Sequence, residues 1–233
     1  MSNSPSRTRI KICGLSQAVD VDAAVRAGAD AVGFVRYAPS VRCVSAAQAA
    51  VLARALPAFV TPVLLFVNPT HAEVQAGLDS VPNALLQFHG DESPEFCDAW
   101  GRPYLRAVTV TPGVDLIDWK HRFKHCNALL LDAPVEGYGG GGKVFDWSLV
   151  HNDAHARNSR NAPGVGVAAR LPVVLSGGLN AANVIDGVLT LRPLAVDVSS
   201  GVERAKGVKD AALIRQFCDA VRRADAQLTS LAT

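Results

Sequence analysis

The chain lacks several signatures, and each absence removes a class of function. No two cysteines have C-x-x-C spacing. The five stand apart as Cys13, Cys43, Cys97, Cys126 and Cys218, so neither a zinc site nor a thioredoxin-like redox site is indicated. An odd, scattered set of thiols fits a reducing, cytoplasmic compartment, in which most cysteines are small buried hydrophobes. No run approaches the roughly 18 consecutive apolar residues of a membrane helix. The polar start, Met1 to Thr8, lacks the apolar stretch of a signal peptide. A formal net charge of +2 over 233 residues, with no basic run and no aromatic-interleaved basic stripe, argues against nucleic acid as a partner. The first apolar run leads into Cys13-Gly14-Leu15 rather than G-x-G-x-x-G. Lys143, after four glycines, is followed by Val144 rather than Ser or Thr. A dinucleotide turn and an ATP-binding loop are therefore both missing.

What is there is an alternation of short apolar runs and longer amphipathic stretches. The runs are Arg9–Cys13, Ala31–Val35, Pro62–Val67, Ala84–His89, Tyr104–Val110, Ala128–Asp132, Pro172–Ser176 and Leu194–Ser199. Several are unbroken Val/Leu/Ile/Phe, as in parallel strands buried on both faces. Helical spacing marks Gln17–Ala27, with Gly28 at its end, Ala46–Leu56 after Ser45, and His71–Leu78 after Thr70. It also marks Pro94–Trp100 after Ser93, Ala181–Leu191 after Asn180, and Asp210–Leu228. Eight strand–helix units predict an α/β fold, one closed (β/α)8 TIM barrel spanning 1–233, with an open doubly wound sheet as the alternative. Residues 151–170 are polar, then Gly/Ala-rich, without clean period, and read as a loop insertion.

Reactive groups in such a barrel sit where strands end. Cys13 closes the first run, and Lys11 shares its face. A cation beside a thiol favours thiolate, which predicts a base active near neutral pH, below the ordinary thiol value of about 8.5. The same pair also reads as a core cysteine beside a structural lysine. Asp132 follows three leucines. Apolar surroundings raise a carboxyl pKa, as a general acid requires, and a helix cap or buried ion pair is the other reading. Ser176-Gly177-Gly178 and Ser199-Ser200-Gly201 follow the seventh and eighth runs, where such barrels bind phosphate on backbone N–H groups. The glycine stretch ending in Gly142 and Lys143 reads as substrate contact or as a plain loop. Arg42, after the second run, is a candidate carboxylate fork or a solvated surface residue. Gln87 and His89 share a face, and His89 reaches the mouth as a structural or a functional histidine. Asp197 faces the same interior as Lys11 once the eighth strand meets the first, and the two are expected to pair.

Seven ordered motifs carry a resemblance. They are Lys-Ile-Cys-Gly-Leu (11–15), Gly-Ala-Asp-Ala-Val-Gly-Phe (28–34), Gln-Phe-His-Gly-Asp-Glu (87–92), Leu-Leu-Asp-Ala (130–133), Gly-Lys-Val-Phe-Asp-Trp (142–147), Leu-Ser-Gly-Gly-Leu-Asn (175–180) and Val-Asp-Val-Ser-Ser-Gly-Val-Glu (196–203). Together they resemble the phosphoribosylanthranilate isomerase family of tryptophan biosynthesis. The resemblance implies an Amadori rearrangement of N-(5-phosphoribosyl)anthranilate to 1-(2-carboxyphenylamino)-1-deoxyribulose 5-phosphate, with no cofactor and no metal. It implies Asp132 as general acid, Cys13 as general base and Arg42 on the anthranilate carboxylate. Phosphate falls to Gly177, Gly178, Ser199, Ser200 and Gly201. His89 and Gly142 complete the expected substrate-binding set, in a monomer or homodimer. Arg36, Ala38, Val41 and the all-glycine 139–142 depart from the family pattern. Two rivals stand beside this reading: another phosphosugar isomerase or synthase on the same barrel, and a non-catalytic phosphate-binding barrel.

Overall fold

The computed structural model describes residues 7–134, 144–150 and 172–231. Its strands are β1 (Arg9–Cys13), β2 (Ala31–Val35), β3 (Thr61–Phe66), β4 (Leu85–Phe88), β5 (Tyr104–Thr109), β6 (Ala128–Asp132), β7 (Val173–Leu175) and β8 (Ala195–Val198). All pair in parallel in chain order, and β1 pairs with β8, so the sheet closes into a barrel. Each strand matches its apolar run to within one residue at either end. Seven α-helices lie wholly among the described residues: α1 (Ala18–Arg26), α2 (Ala46–Arg54), α3 (His71–Ser80), α4 (Pro94–Asp98), α5 (Leu116–Arg122), α6 (Val184–Leu191) and α7 (Ala211–Ser230). A short hairpin, β9 (Glu203–Ala205) with β10 (Val208–Lys209), stands between β8 and α7.

Helix starts follow capping chemistry. Ser45 Oγ accepts the Gln48 amide, Thr70 and Glu73 form a reciprocal capping box, and Ser93 caps a helix opened by Pro94. Asn180 does not cap α6 as expected. Its Oδ1 accepts the Ala182 amide at 2.8 Å, which holds a turn, and the helix begins at Val184. The spacing pattern does not single out α5; Asp115 caps it through the amides of Ile117 and Asp118.

The strand parity sets two layers. Ile10, Ile12, Phe34, Leu64, Phe66, Leu86 and Phe88 point outward and are buried under the helices, each contributing about 1.5–3 kcal/mol by burial. The opposite parity fills the barrel. Its lower part is apolar, with Leu85, Leu105, Ala107, Ala128, Leu130, Val174 and Ala195. Above that layer the interior turns polar: Lys11, Gln87, Ser176 and Asp197 are all buried. The glycine loop with Gly142 and the 151–170 segment lie outside the described residues.

Candidate active site

Cys13 ends β1 and Lys11 precedes it on the inner face, opposite Gly33 and Asp197 in the strand registers. Lys11 Nζ donates to Asp197 Oδ1 at 2.6 Å, and Ser176 Oγ donates to Asp197 Oδ2 at 3.2 Å. The pairing expected from strand parity is therefore present. Gly33 makes room for it: a Cβ there would sit 2.7 Å from the Cys13 sulfur and 3.2 Å from Lys11 Nζ. Burial alone would lower the Lys11 ammonium, but Asp197 and then Cys13 outweigh it, and its pKa rises to about 12.

The thiol does not follow the expectation. Burial pushes Cys13 up, Lys11 pulls it down, and Asp197 pushes it up again, leaving it above the ordinary thiol value. Lys11 is the cation that was to stabilise the thiolate, and its charge is already matched by a buried carboxylate. The sulfur itself has lost its water.

Asp132 ends β6 and is not wrapped in leucine. Its Oδ1 accepts the Ala133 amide at 2.9 Å and its Oδ2 lies 3.0 Å from His89 Nε2. Gln87 Nε2 is 3.0 Å from His89 Nδ1. With the amide nitrogen donating, Nδ1 accepts, so Nε2 carries the ring hydrogen and points it at the carboxylate. His89 is held from outside the barrel. Arg106, buried on β5, donates to the carbonyls of Phe88 and Gly90 and to Glu92 Oε2. Glu92 in turn accepts the amides of Asn68 and Gly90. The Arg106 guanidinium lies over the rings of Trp119 and Phe123, which α5 and its C-cap supply. None of this network was anticipated; Glu92 stood in the 87–92 motif, but its partner lies one strand away.

The two small-residue turns touch. A Cβ on Gly201 would sit 1.8 Å from the Leu179 carbonyl, so the turns after β7 and β8 share one surface. Gly177 has φ +79° and abuts Asp132, since a Cβ there would lie 2.9 Å from its Oδ1. Gly178, at φ +63°, presents its carbonyl to Asn183 Nδ2 at 3.0 Å. Ser199 accepts Lys209 Nζ on its carbonyl at 2.8 Å and on Oγ at 3.2 Å, and Ser200–Val202 form a single 3-10 turn.

Arg42 is neither solvated nor idle. It is buried, and Nε and Nη2 donate to Glu203 at 2.7 and 2.8 Å. Lys209 Nζ joins the same carboxylate at 2.7 Å. Burial alone would raise Glu203, but hydrogen bonds from Arg42 and Lys209 hold it down at about 2. Gly14, at φ +76°, brings these groups to the thiol: a Cβ there would meet Arg42 Cδ at 2.5 Å and Ser199 Oγ at 3.1 Å. No cluster of metal-ligating side chains occurs among the described residues, and no described helix is long and apolar enough to cross a membrane.

Thiol, carboxyl, guanidinium and both turns thus gather at the rim where barrels of this kind do their chemistry, and the class is that of a (β/α)8-barrel enzyme. Residues 10–220 match the family model of N-(5′-phosphoribosyl)anthranilate isomerase. A curated relative of that name from Methylibium petroleiphilum is 62% identical over 224 residues, covering 96% of this chain and 98% of its own. The crystal structure of the Thermotoga maritima isomerase superposes with a TM-score of 0.80 at 36% identity, covering 93% of this chain and 99% of that one. A further structure, at 33% identity and TM-score 0.77 with the same coverage, is that of the isomerase in complex with reduced 1-(o-carboxyphenylamino)-1-deoxyribulose 5-phosphate. The Thermotoga protein is also described as dimeric. The chain belongs to the N-(5′-phosphoribosyl)anthranilate isomerase family, the aldose–ketose isomerases of tryptophan biosynthesis.

Proposed function

We propose that the chain converts N-(5′-phosphoribosyl)anthranilate to 1-(2-carboxyphenylamino)-1-deoxyribulose 5-phosphate, with Asp132 as general acid and Cys13 as general base. The observation that carries this is the placement of both groups at inward-facing strand ends, one beside His89 and the other beside Lys11. Asp132 gives its proton to the furanose ring oxygen. The C1′–O bond breaks, and the anthranilate nitrogen lone pair forms the C=N bond of a Schiff base. The thiolate of Cys13 then takes the C2′ hydrogen. The C–H electrons form C1′=C2′, and the C=N electrons return to nitrogen. The enolamine loses its C2′ hydroxyl proton and gains one at C1′, giving the ketone. His89 Nε2–H and the Ala133 amide stabilise the Asp132 carboxylate left after the first step.

Arg42 takes the anthranilate carboxylate through the guanidinium edge that Glu203 leaves open. Gly177, Gly178, Ser199, Ser200 and Gly201 take the phosphate on backbone N–H groups, and Gly142 joins the substrate-binding set from the glycine loop. Gly177 has a second use, leaving space for Asp132. The five free thiols suit a cytoplasmic protein. It works as a monomer or homodimer, which sedimentation equilibrium distinguishes.

The test is loss of anthranilate-type fluorescence on adding the protein to freshly made phosphoribosylanthranilate, with Asp132→Asn alongside. Rapid loss with the wild type alone is expected. Equal rates for both proteins would remove Asp132 from the acid's role. No loss with a folded wild type would leave a phosphate-binding barrel.

A further inference from the structure

Glu203 opens the β9–β10 hairpin and belongs to no strand of the barrel, yet its side chain is 3% exposed. Its carboxylate accepts four hydrogen bonds: Arg42 Nε and Lys209 Nζ on Oε1, and Arg42 Nη2 and the Gly207 amide on Oε2. The grip on Arg42 is side-on. It uses Nε and one hydrogen of Nη2 and leaves the end edge, Nη1 with the other Nη2 hydrogen, with no partner among the described residues. A guanidinium has five N–H donors in a rigid fork and can serve one carboxylate on each edge. Lys209 works in the other direction, donating to both oxygens of Ser199, the first residue of the proposed phosphate turn. One buried anion therefore stands between the proposed carboxylate subsite and the proposed phosphate subsite and is bonded to the cation of each. Two cations and one anion leave a net positive charge, which still attracts ligand anions. Without the anion, Arg42 and Lys209 would face each other buried and uncompensated, and Arg42 would have no fixed edge.

We propose that Glu203 is the positioning residue that fixes the Arg42 edge and, through Lys209, its offset from the Ser199–Gly201 turn, so that the site selects ligands bearing a carboxylate at one end and a phosphate at the other. This rests on the reading of Arg42 and the turn given above. Glu203 touches no substrate; it acts through Arg42.

Calorimetric titration of wild type, Glu203→Gln and Arg42→Lys with three ligands tests it. The ligands are the reduced product analogue, the same compound without its ring carboxylate, and inorganic phosphate. In Glu203→Gln, affinity for the full analogue falls about 10- to 100-fold, the scale of one charge-assisted pair. Affinity for the decarboxylated compound and for phosphate changes by no more than about threefold, because Glu203 meets the turn only through Lys209, which keeps its own bonds to Ser199. KM rises with the loss of analogue affinity while kcat holds within about threefold, because the interaction is uniform binding rather than transition-state binding. Adding Glu203→Gln to Arg42→Lys costs nothing further. Equal weakening of all three ligands, unchanged affinity, or additive losses in the double variant would overturn the proposal. Arg42→Lys separates the two readings. If it keeps full discrimination for the carboxylate, the underlying assignment of Arg42 is wrong. If it loses discrimination while Glu203→Gln keeps it, only the role of Glu203 is wrong. Should Glu203→Gln fail to fold, Glu203→Asp keeps the buried charge, withdraws it by one methylene and is read in the same way.

Discussion

The two sides of the barrel rim hold their reactive groups by different means. On the β8–β1 side, Cys13 lies in a lattice of fixed charges: Lys11 and Asp197 below it, with Arg42, Glu203 and Lys209 toward the solvent. On the β4–β6 side, Asp132 meets an imidazole and a backbone amide, at the end of a hydrogen-bond chain that begins at Gln87. The protonation of the thiol is thus governed by net charge in a desolvated place. The placement of a hydrogen at the carboxyl is governed by which atom of an amide faces a ring nitrogen. In the roles proposed above, the thiol as base needs its energy tuned and the carboxyl as acid needs its proton aimed, and each side supplies one of these.

The sharpest way to break the comparison is to remove the groups themselves. Cys13→Ala and Asp132→Asn should each lower kcat by about 10²–10⁴-fold, the usual worth of a positioned proton-transfer group, with circular dichroism unchanged. Next come the charges under the thiol. Lys11→Met leaves Asp197 buried without its partner and should cost about 3–5 kcal/mol in urea unfolding. It also removes the cation that pulls Cys13 down, so the limb of kcat/KM that rises with pH as the thiolate forms should move to higher pH. Asp197→Asn should move the same limb down, because Asp197 is what pushes against the thiolate. Two opposite shifts would sharpen the contrast; a limb indifferent to both would end it. On the other side, Gln87→Leu removes the donor that fixes the His89 tautomer. It should lower kcat only about fivefold, the worth of one buried hydrogen bond, and leave the thiol limb where it was.

The last effect concerns acid stability. Hydrogen bonds from Arg42 and Lys209 hold the folded Glu203 carboxyl at about 2, below its ordinary value of 4.5. Between those values the unfolded chain binds more protons, so stability falls as pH drops through that window. Glu203→Gln should flatten that part of the pH–stability curve, read by thermal melts.

Much of this was legible in the residues, and the parts that were not share a cause. Buried on both faces, the eight strands announce themselves as unbroken apolar runs. The Lys11–Asp197 pair follows from parity alone once the barrel closes, because a two-residue period decides which side chains face inward. The Arg42–Glu203 pair joins a loop to a hairpin 161 positions on, and no period governs loops. Arg106 stands in an outward register where an arginine looks out of place until Glu92, Trp119 and Phe123 surround it. Helix α5 buries only Leu116 fully, too little for an amphipathic signal. The rise of the thiol is hidden from the sequence for a related reason. Lys11 is visible in the sequence, but the loss of water at sulfur comes with Val35, Leu65 and Val67, which join Cys13 in one buried cluster from further along the chain.

The first strand made is hydrogen-bonded to the last. Lys11 and Cys13 leave the ribosome early, and Asp197 follows 186 positions after Lys11. During synthesis the ammonium has no counter-ion and the sulfur has no roof. Closing so long a segment delays ring formation until the entropy of the whole intervening chain has been spent. The charge environment of the Cys13 thiol is therefore set only when the ring shuts, so the pH dependence of its alkylation is a clock for that moment.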